Sequence, residues 1–579
     1  MSVLFRIINN RKIPCIRKFL KYSSTHRKLC HFLGSSKFIT FDEVGAQRRA
    51  EARRSLVIQV NSKLSFNELH SYCSKYADIE GIHHYKNKRG ENFMLIEFKT
   101  EANVTDVYKN CSMHQHDSDT MAIPSPFLWF RNVQSKKESN ITPLNISLKT
   151  LDATSLIDND RLIDEMIKCN NISEQMQVLY NNTKLNDIGI RLRYMVAMQL
   201  EMVFSSLYSN IVVRPFGSSV NSFGKIGCDL DLVFTHQVND MVSHVFMVRC
   251  VGGVHTYHHL EVLAPALENR VSGVGRVIRI LHARVPILKF SHLYADLDCD
   301  LCYNNMSGVY MSELLYLYST LDSRTAPLVF AVKRWASGRG LTSSHPGRWI
   351  TGFPLSLMVL FFLQTCKILP PLNLIRNDIR LAEENINCTF LRDLNLLPKE
   401  MLPKNKSSLE KLLLQFFEYY SQFDFQEKAI SLNDGAAIRK PNNQPLYIVN
   451  PLDTGLNVSK NVSYSECERL KMEVRNAAWQ LEAESDTGKH EIWGLLSLSE
   501  NKSEFSLKKL VNVGNSHRLL SIKDIFKNDE EKSEQKPQKL RDDKAEEFKN
   551  KEVQKEQKIK FKNPQVKNEV LRIRRNKMA

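Results

Sequence analysis

The run Arg214-Pro215-Phe216-Gly217-Ser218, followed after a short gap by Gly227-Cys228-Asp229-Leu230-Asp231-Leu232-Val233-Phe234, constrains this chain more than any other. In a strand, residues i and i+2 point to the same face. Asp229 and Asp231 therefore share one face, while Leu230 and Leu232 enter a core. Two carboxylates so close repel each other and resist burial unless a cation sits between them. A hard divalent ion with oxygen ligands resolves the conflict. The Gly217-Ser218 turn, read as opening a short helix, offers backbone N–H groups to phosphate. Together they point to metal-assisted nucleotidyl transfer.

A lone D-x-D would be weak evidence. The conjunction is stronger because a later apolar strand, Cys299-Asp300-Leu301-Cys302-Tyr303, carries a third acid. Three carboxylates from two strands can hold two Mg²⁺ or Mn²⁺ ions about 3.5–4 Å apart. One would lower the pKa of an RNA 3′-hydroxyl, and the other would bind the triphosphate and the departing pyrophosphate. The bland alternative is two exposed acids on an edge strand and an unrelated Asp300.

The rest of the chain limits the choices. Its 579 residues suggest several domains, and a net charge of +17 favours a polyanionic partner. Cys299 and Cys302 form a C-x-x-C without a second pair at zinc-finger spacing, which reads as reduced core thiols. The apolar stretch from Phe353 to Leu363 falls short of the roughly 18 residues of a membrane span. It reads as a buried helix. Residues 1–41 contain no Asp or Glu but mix Lys and Arg with apolar residues. That is the composition of a mitochondrial transit peptide, with a basic nucleic-acid-binding arm as the alternative.

Residues 42–54 read as a charged linker. Strands at 56–60 and 92–98, with helices over 66–76 and 100–108, give a β-α-β-β-α order that resembles the RRM fold. Its stacking aromatics are few: only Phe93 and Phe98 qualify. RNA contact and a packing or dimerisation role both stay open. Residues 112–145 read as a poorly structured linker, and helices follow over 151–168 and 187–208. Periodicity is mostly helical from Ser312 to about residue 425, and a helix over 465–484 closes the globular part. Dense Lys, Glu, Asp and Gln from about 527 predict a largely disordered tail. The expected division is a presequence (1–41), an RRM-like module (50–130), a palm with preceding helices (150–310), a helical region (311–505) and the charged tail (506–579).

On these motifs the chain resembles a noncanonical poly(A) polymerase of the DNA polymerase beta-like nucleotidyltransferase superfamily. The basic presequence and RRM-like module make it most similar to the mitochondrial members. The resemblance implies an α+β fold: a nucleotidyltransferase palm of mixed β-sheet and helices, a helical central and PAP-associated domain, and the N-terminal α/β module. It implies that Asp229, Asp231 and Asp300 are catalytic and bind Mg²⁺ or Mn²⁺. Gly217 and Ser218 would hold the terminal phosphates, and Gly227 and Cys228 would bring backbone close to the nucleotide. Asn305 would contact the sugar, Lys333 the triphosphate and Phe353 the base, and Lys289 would lie near primer or phosphate. The partners implied are ATP and an RNA 3′ end, with a possible homodimer, in the mitochondrial matrix.

Three positions depart from the pattern. Ser337 stands where some relatives carry a second triphosphate lysine, Met311 where a small polar ribose contact is common, and Gly352 where a serine precedes the stacking aromatic. In Asn450-Pro451-Leu452-Asp453-Thr454-Gly455-Leu456-Asn457-Val458, which resembles the nucleotide-recognition motif, Leu456 replaces a histidine that favours uracil in uridylyltransferases. This tilts the reading toward ATP. A terminal uridylyltransferase or an enzyme of relaxed choice, and a silent RNA-binding scaffold, are the competing readings.

Overall fold

The computed structural model describes residues 38–111, 125–130, 148–150, 159–236, 254–343, 347–376, 390, 405–487 and 492–499. The expected transit peptide, apart from its last few residues, and the charged tail lie outside the described residues.

The N-terminal module is a five-stranded sheet of β1 (Ser55–Val60), β2 (Ile79–Lys86), β3 (Asn92–Phe98), β4 (Phe127–Trp129) and β5 (Lys149–Thr150) in the order β4-β1-β3-β2-β5. With helices Phe66–Cys73 and Glu101–Cys111 it has the β-α-β-β-α order read from the sequence. β4 falls inside the expected linker, and it runs parallel to β1, which itself runs antiparallel to β3. A last strand reached from β3 by a βαβ crossover would be parallel to β3 and so antiparallel to β1. The fourth strand therefore departs from the RRM pattern.

Both faces of this sheet are buried. Leu56, Ile58, Met94, Ile96 and Phe98 pack beneath the helices on Leu69, Cys73 and Val107. Val57, Tyr85, Phe93 and Leu95 point the other way, into the core of a second sheet. There Tyr85 stacks on Phe93 at 5.3 Å and its hydroxyl donates to Tyr294 O at 2.9 Å. Phe93 and Phe98, the two aromatics offered for base stacking, are thus both core residues. The period of two placed them on opposite faces, and each face has another occupant.

Residues 42–54 are not a linker. Thr40 and Glu43 form a capping box that starts a helix over Phe41–Arg53. This helix lies on the long helix Asp187–Phe204 and is fixed by a charge cluster. Arg191 pairs with Glu97 at 2.7 Å and Asp187 at 3.1 Å, Arg54 also pairs with Glu97, and Arg48 pairs with Glu51 and Asp187.

The second sheet contains β6 (Ile211–Phe216), β7 (Leu230–His236), β8 (Ile278–Ile280), β9 (Ile287–His292) and β10 (Leu297–Tyr303), ordered β6-β7-β10-β9-β8. β7 and β10 run parallel, while β6 and β9 flank them antiparallel. The alternation read at Leu230 and Leu232 holds: both are fully buried and pack with Leu192, Met195 and Leu200 of the long helix and Leu260, Leu263 and Leu267 of helix Val254–Arg270. Cys299 and Cys302 are free, buried thiols, and burial pushes both up, Cys302 to about 12.

Beyond β10 the chain is mainly helical: Ser307–Leu321, Thr325–Gly338, Gly352–Thr365, Leu372–Ile375, Leu409–Ser421, Tyr464–Thr487 and Leu495–Ser499, with a β11 (Lys428–Ser431) and β12 (Ala436–Arg439) hairpin. Every residue from Pro354 to Gln364 is buried, so the short apolar run is a core helix. Among the described residues no helix is long and apolar enough to cross a membrane. Helices Asn159–Ile167 and Ile172–Thr183 insert Leu162, Met166, Met176 and Leu179 into this helical core. Chain order alone does not reveal which apolar face they meet.

Burial works to raise the Glu97 carboxyl, but Arg191 and Arg54 together hold it below the usual carboxylate range. A depressed carboxylate contributes stability above its unfolded pKa and loses it as pH falls through the folded value. Glu97→Gln takes the carboxylate from Arg54 and removes the shorter of the contacts Arg191 makes, leaving Arg191 with Asp187. It is expected to cost about 3 kcal/mol in urea unfolding at pH 7, and to flatten the acid limb of the stability curve.

Candidate active site

The carboxylates are positioned by strand register. Asp300 on β10 is the direct parallel partner of Asp231 on β7, and its antiparallel partner on β9 is Lys289. Asp229, the residue before β7, interacts with both Asp300 and Asp231. The Lys289 ammonium donates to Asp300 Oδ1 at 3.0 Å, and this contact helps raise its pKa although desolvation works to lower it. Among the described residues, no three His, Cys, Asp or Glu side chains already form a metal-ready cluster. Lys289 instead supplies the positive charge at Asp300.

Electrostatics show what the group lacks. Desolvation, then Asp300 and Asp229, push the Asp231 carboxyl up to about 7. Desolvation also raises Asp229. A carboxyl that resists ionisation among like charges favours a bound cation, and an all-oxygen donor set fits a hard divalent ion.

The Gly217-Ser218 turn abuts these acids. Gly217 has φ +70° and follows Phe216, the antiparallel partner of Asp231. A Cβ at Gly217 would run into the Asp231 carboxylate. Only glycine allows this approach together with this conformation. The turn opens only a single 3₁₀ turn over Gly217–Ser219, so any phosphate contact comes from the turn itself. The Gly217 N–H itself donates to Ser312 Oγ at 2.7 Å. Ser312 sits one turn into the helix after β10, where it was not read as a site residue. Ser218 remains half-buried on this turn.

The other expected residues divide. Gly227 has φ +81° and leads into half-buried Cys228. Lys333 lies 5.9 Å from the centre of the Phe223 ring, and burial pulls its ammonium down to about 8 despite an opposing pull from Cys228. An added Cβ at Gly352 would sit 3.6 Å from Lys333 Cε, so the helix that begins Gly352-Phe353 packs beside this lysine. Phe353 is half-buried against the helical core. Lys333 thus lies close enough to Cys228 to interact with it, and Phe353 follows the glycine packed beside that lysine. Asn305 lies in the turn after β10, where its Oδ1 accepts from Ser307 N–H at 3.3 Å and Ser307 Oγ at 2.5 Å.

Asn457 is pinned as well. Its Oδ1 accepts from Ile448 N–H and Ser459 N–H, and its Nδ2 donates to Leu446 O at 2.8 Å. Asn461 Nδ2 donates to Trp349 O at 2.8 Å, which ties the segment after the recognition motif to the loop before Phe353.

Ionised Asp231 opposes folding in the absence of metal. A carboxyl raised from 3.8 to about 7 contributes stability that is complete below the unfolded pKa and lost as pH rises through about 7. The melting temperature of the metal-free chain is expected to carry this loss between pH 4 and 7. Asp231→Asn should abolish it, and Mg²⁺ should stabilise the parent more at pH 8 than at pH 6. Gly217→Ala should lower turnover by about 100-fold through displacement of the carboxylate, read by steady-state kinetics on a chain whose circular dichroism is unchanged.

Two family descriptions match. The one described as "Poly(A) RNA polymerase, mitochondrial-like, central palm domain" covers residues 172–320, and "Cid1 family poly A polymerase" covers residues 408–453. The mitochondrial poly(A) RNA polymerase of Drosophila melanogaster is 38% identical over 522 residues, covering 85% of this chain and 84% of the relative. That of Homo sapiens is 33% identical over 512 residues, covering 84% and 85%. A crystal structure of mtPAP in complex with ATPγS superposes with a TM-score of 0.70 at 31% identity, covering 80% of this chain and 99% of that one. With its acids in register on adjacent strands beside a glycine-serine turn, and with these likenesses over most of its length, the chain belongs to the mitochondrial poly(A) RNA polymerase family of template-independent nucleotidyltransferases.

Proposed function

We propose that this chain transfers AMP from ATP to RNA 3′ ends in the mitochondrial matrix, with release of pyrophosphate. The register pair Asp231–Asp300, lying against Gly217, carries the reading. Asp229, Asp231 and Asp300 would hold a pair of Mg²⁺ or Mn²⁺ ions, which when bound supply Lewis-acid activation of the 3′-hydroxyl and charge neutralisation at the leaving group. The protein's own contribution is placement. The Gly217-Ser218 turn and Lys333 bind the triphosphate, Phe353 faces the base, and the fixed strands aim the α-phosphorus at the hydroxyl. Lys289 holds Asp300 Oδ1 toward β9. The excess of positive charge favours RNA and predicts an affinity that falls as salt rises.

The N-terminal module acts here as a buttress of RRM-like element order, because its aromatic sheet face is covered by the catalytic sheet. Any homodimer formed through the module would use its remaining surface. The basic presequence directs import, in keeping with relatives that are named mitochondrial.

A second reading rests on nucleotide choice. Crystal structures of mtPAP hold UTP, GTP and CTP as well as ATPγS, so the pocket of that protein admits more than one base. Here Leu456 offers no side-chain hydrogen bond to a base, and its backbone N–H and C=O are held by Asp453 and Asn450. Purified chain is expected to extend a short RNA with ATP and Mg²⁺, and Asp231→Ala should not. Equal extension with UTP would favour relaxed choice, and no extension by either protein would leave the scaffold reading. Leu456→His should raise the UTP-to-ATP ratio of kcat/KM by about tenfold, the worth of one added hydrogen bond at about 1.4 kcal/mol.

A further inference from the structure

The long helix contributes a guanidinium that the proposed chemistry does not yet use. Arg193 is 1% exposed. Its Nε donates to Ser219 Oγ at 3.0 Å, and its terminal nitrogens donate to Gly189 O at 2.9 Å and Cys228 O at 2.6 Å, with Cys228 Sγ at 3.4 Å. None of these partners is a carboxylate. Ser219 completes the 3₁₀ turn that begins with Gly217-Ser218, and its hydroxyl in turn donates to Asp229 O at 3.3 Å. One side chain therefore joins the phosphate turn, the residue before the first acid and the backbone of that acid.

A guanidinium buried against neutral oxygens is unfavourable unless opposite charge lies near. The charge nearest in the chain is that of the carboxylates, because Cys228, whose carbonyl Arg193 holds, directly precedes Asp229. Nearby Arg191 is the contrast: it faces Glu97 and Asp187, and its work is to attach the N-terminal module.

We infer that Arg193 is a positioning residue that fixes the distance between the triphosphate-binding turn and the carboxylates. Its planar fork spans two backbone segments that no main-chain ladder joins at that point, which a lysine could not reproduce at both. This inference rests on the nucleotidyl-transfer reading above. Outer partners of metal ligands typically change metal affinity or activity by about 10–100-fold when removed.

The test compares the full-length parent with Arg193→Gln, Arg193→Lys, Ser219→Ala and Arg191→Lys. The readouts are Mn²⁺-dependent thermal shift without nucleotide, and kcat and KM for ATP on a short RNA. Arg193→Gln is expected to raise half-saturating Mn²⁺ and lower kcat, each by about tenfold or more, with Arg193→Lys recovering only part of either. Ser219→Ala should move both readouts in the same direction by a smaller factor. Arg191→Lys should lower the melting temperature and leave Mn²⁺ dependence and kcat within twofold of the parent. A folded Arg193→Gln with parental Mn²⁺ dependence and kcat overturns the inference. If that variant does not fold, parental behaviour of Ser219→Ala overturns it instead. A parent that extends no RNA defeats the functional reading, whereas an active parent matched by its variants defeats only the role of Arg193.

Discussion

Repulsion between acids on neighbouring strands organises this molecule. Asp231 and Asp300 face each other by register, with Asp229 two residues away, so the sheet cannot relax one carboxylate without sliding a strand. A one-residue slip would send both acids into the core and both leucines of β7 into water. The buried leucines therefore fix the acids' direction, and the acids demand the cations around them. Lys289, Arg193 and any bound divalent ion answer the same demand from three sides.

The sequence revealed this centre because its grammar is local. A period of two over Asp229–Leu232 and an apolar strand at Asp300 give the strands their faces, and register then does the rest. Features that depend on distant partners were harder to read. Arg193 looks like an ordinary helix residue until Ser219 and Cys228 come to it from loops. Ser312 is one more residue of an apolar helix until the Gly217 N–H reaches it. Asn305 carries a binding role by resemblance, and its bonds to Ser307 became visible only once the turn after β10 was formed.

The N-terminal region shows both outcomes. The β-α-β-β-α order was legible from alternation and caps. The helix over Phe41–Arg53 was missed although Thr40 and Glu43 stand at capping-box spacing, because the dense charge between them suggested a linker. β4 was missed because three residues make too short a pattern to register. The cover over the sheet face was beyond sequence reasoning, since Phe93 reads alike whether its neighbour is a base or Tyr294.

That cover binds two parts of the chain into one folding problem. Val57, Tyr85, Phe93 and Phe127 share a core with Leu232, Leu288 and Phe290, so neither sheet is finished until the other is present. The first strands must wait through more than a hundred intervening residues before their inner face is dry, while synthesis proceeds from the amino end. Such a chain carries an unfinished hydrophobic wall until its second sheet arrives, which makes it a natural client for chaperones.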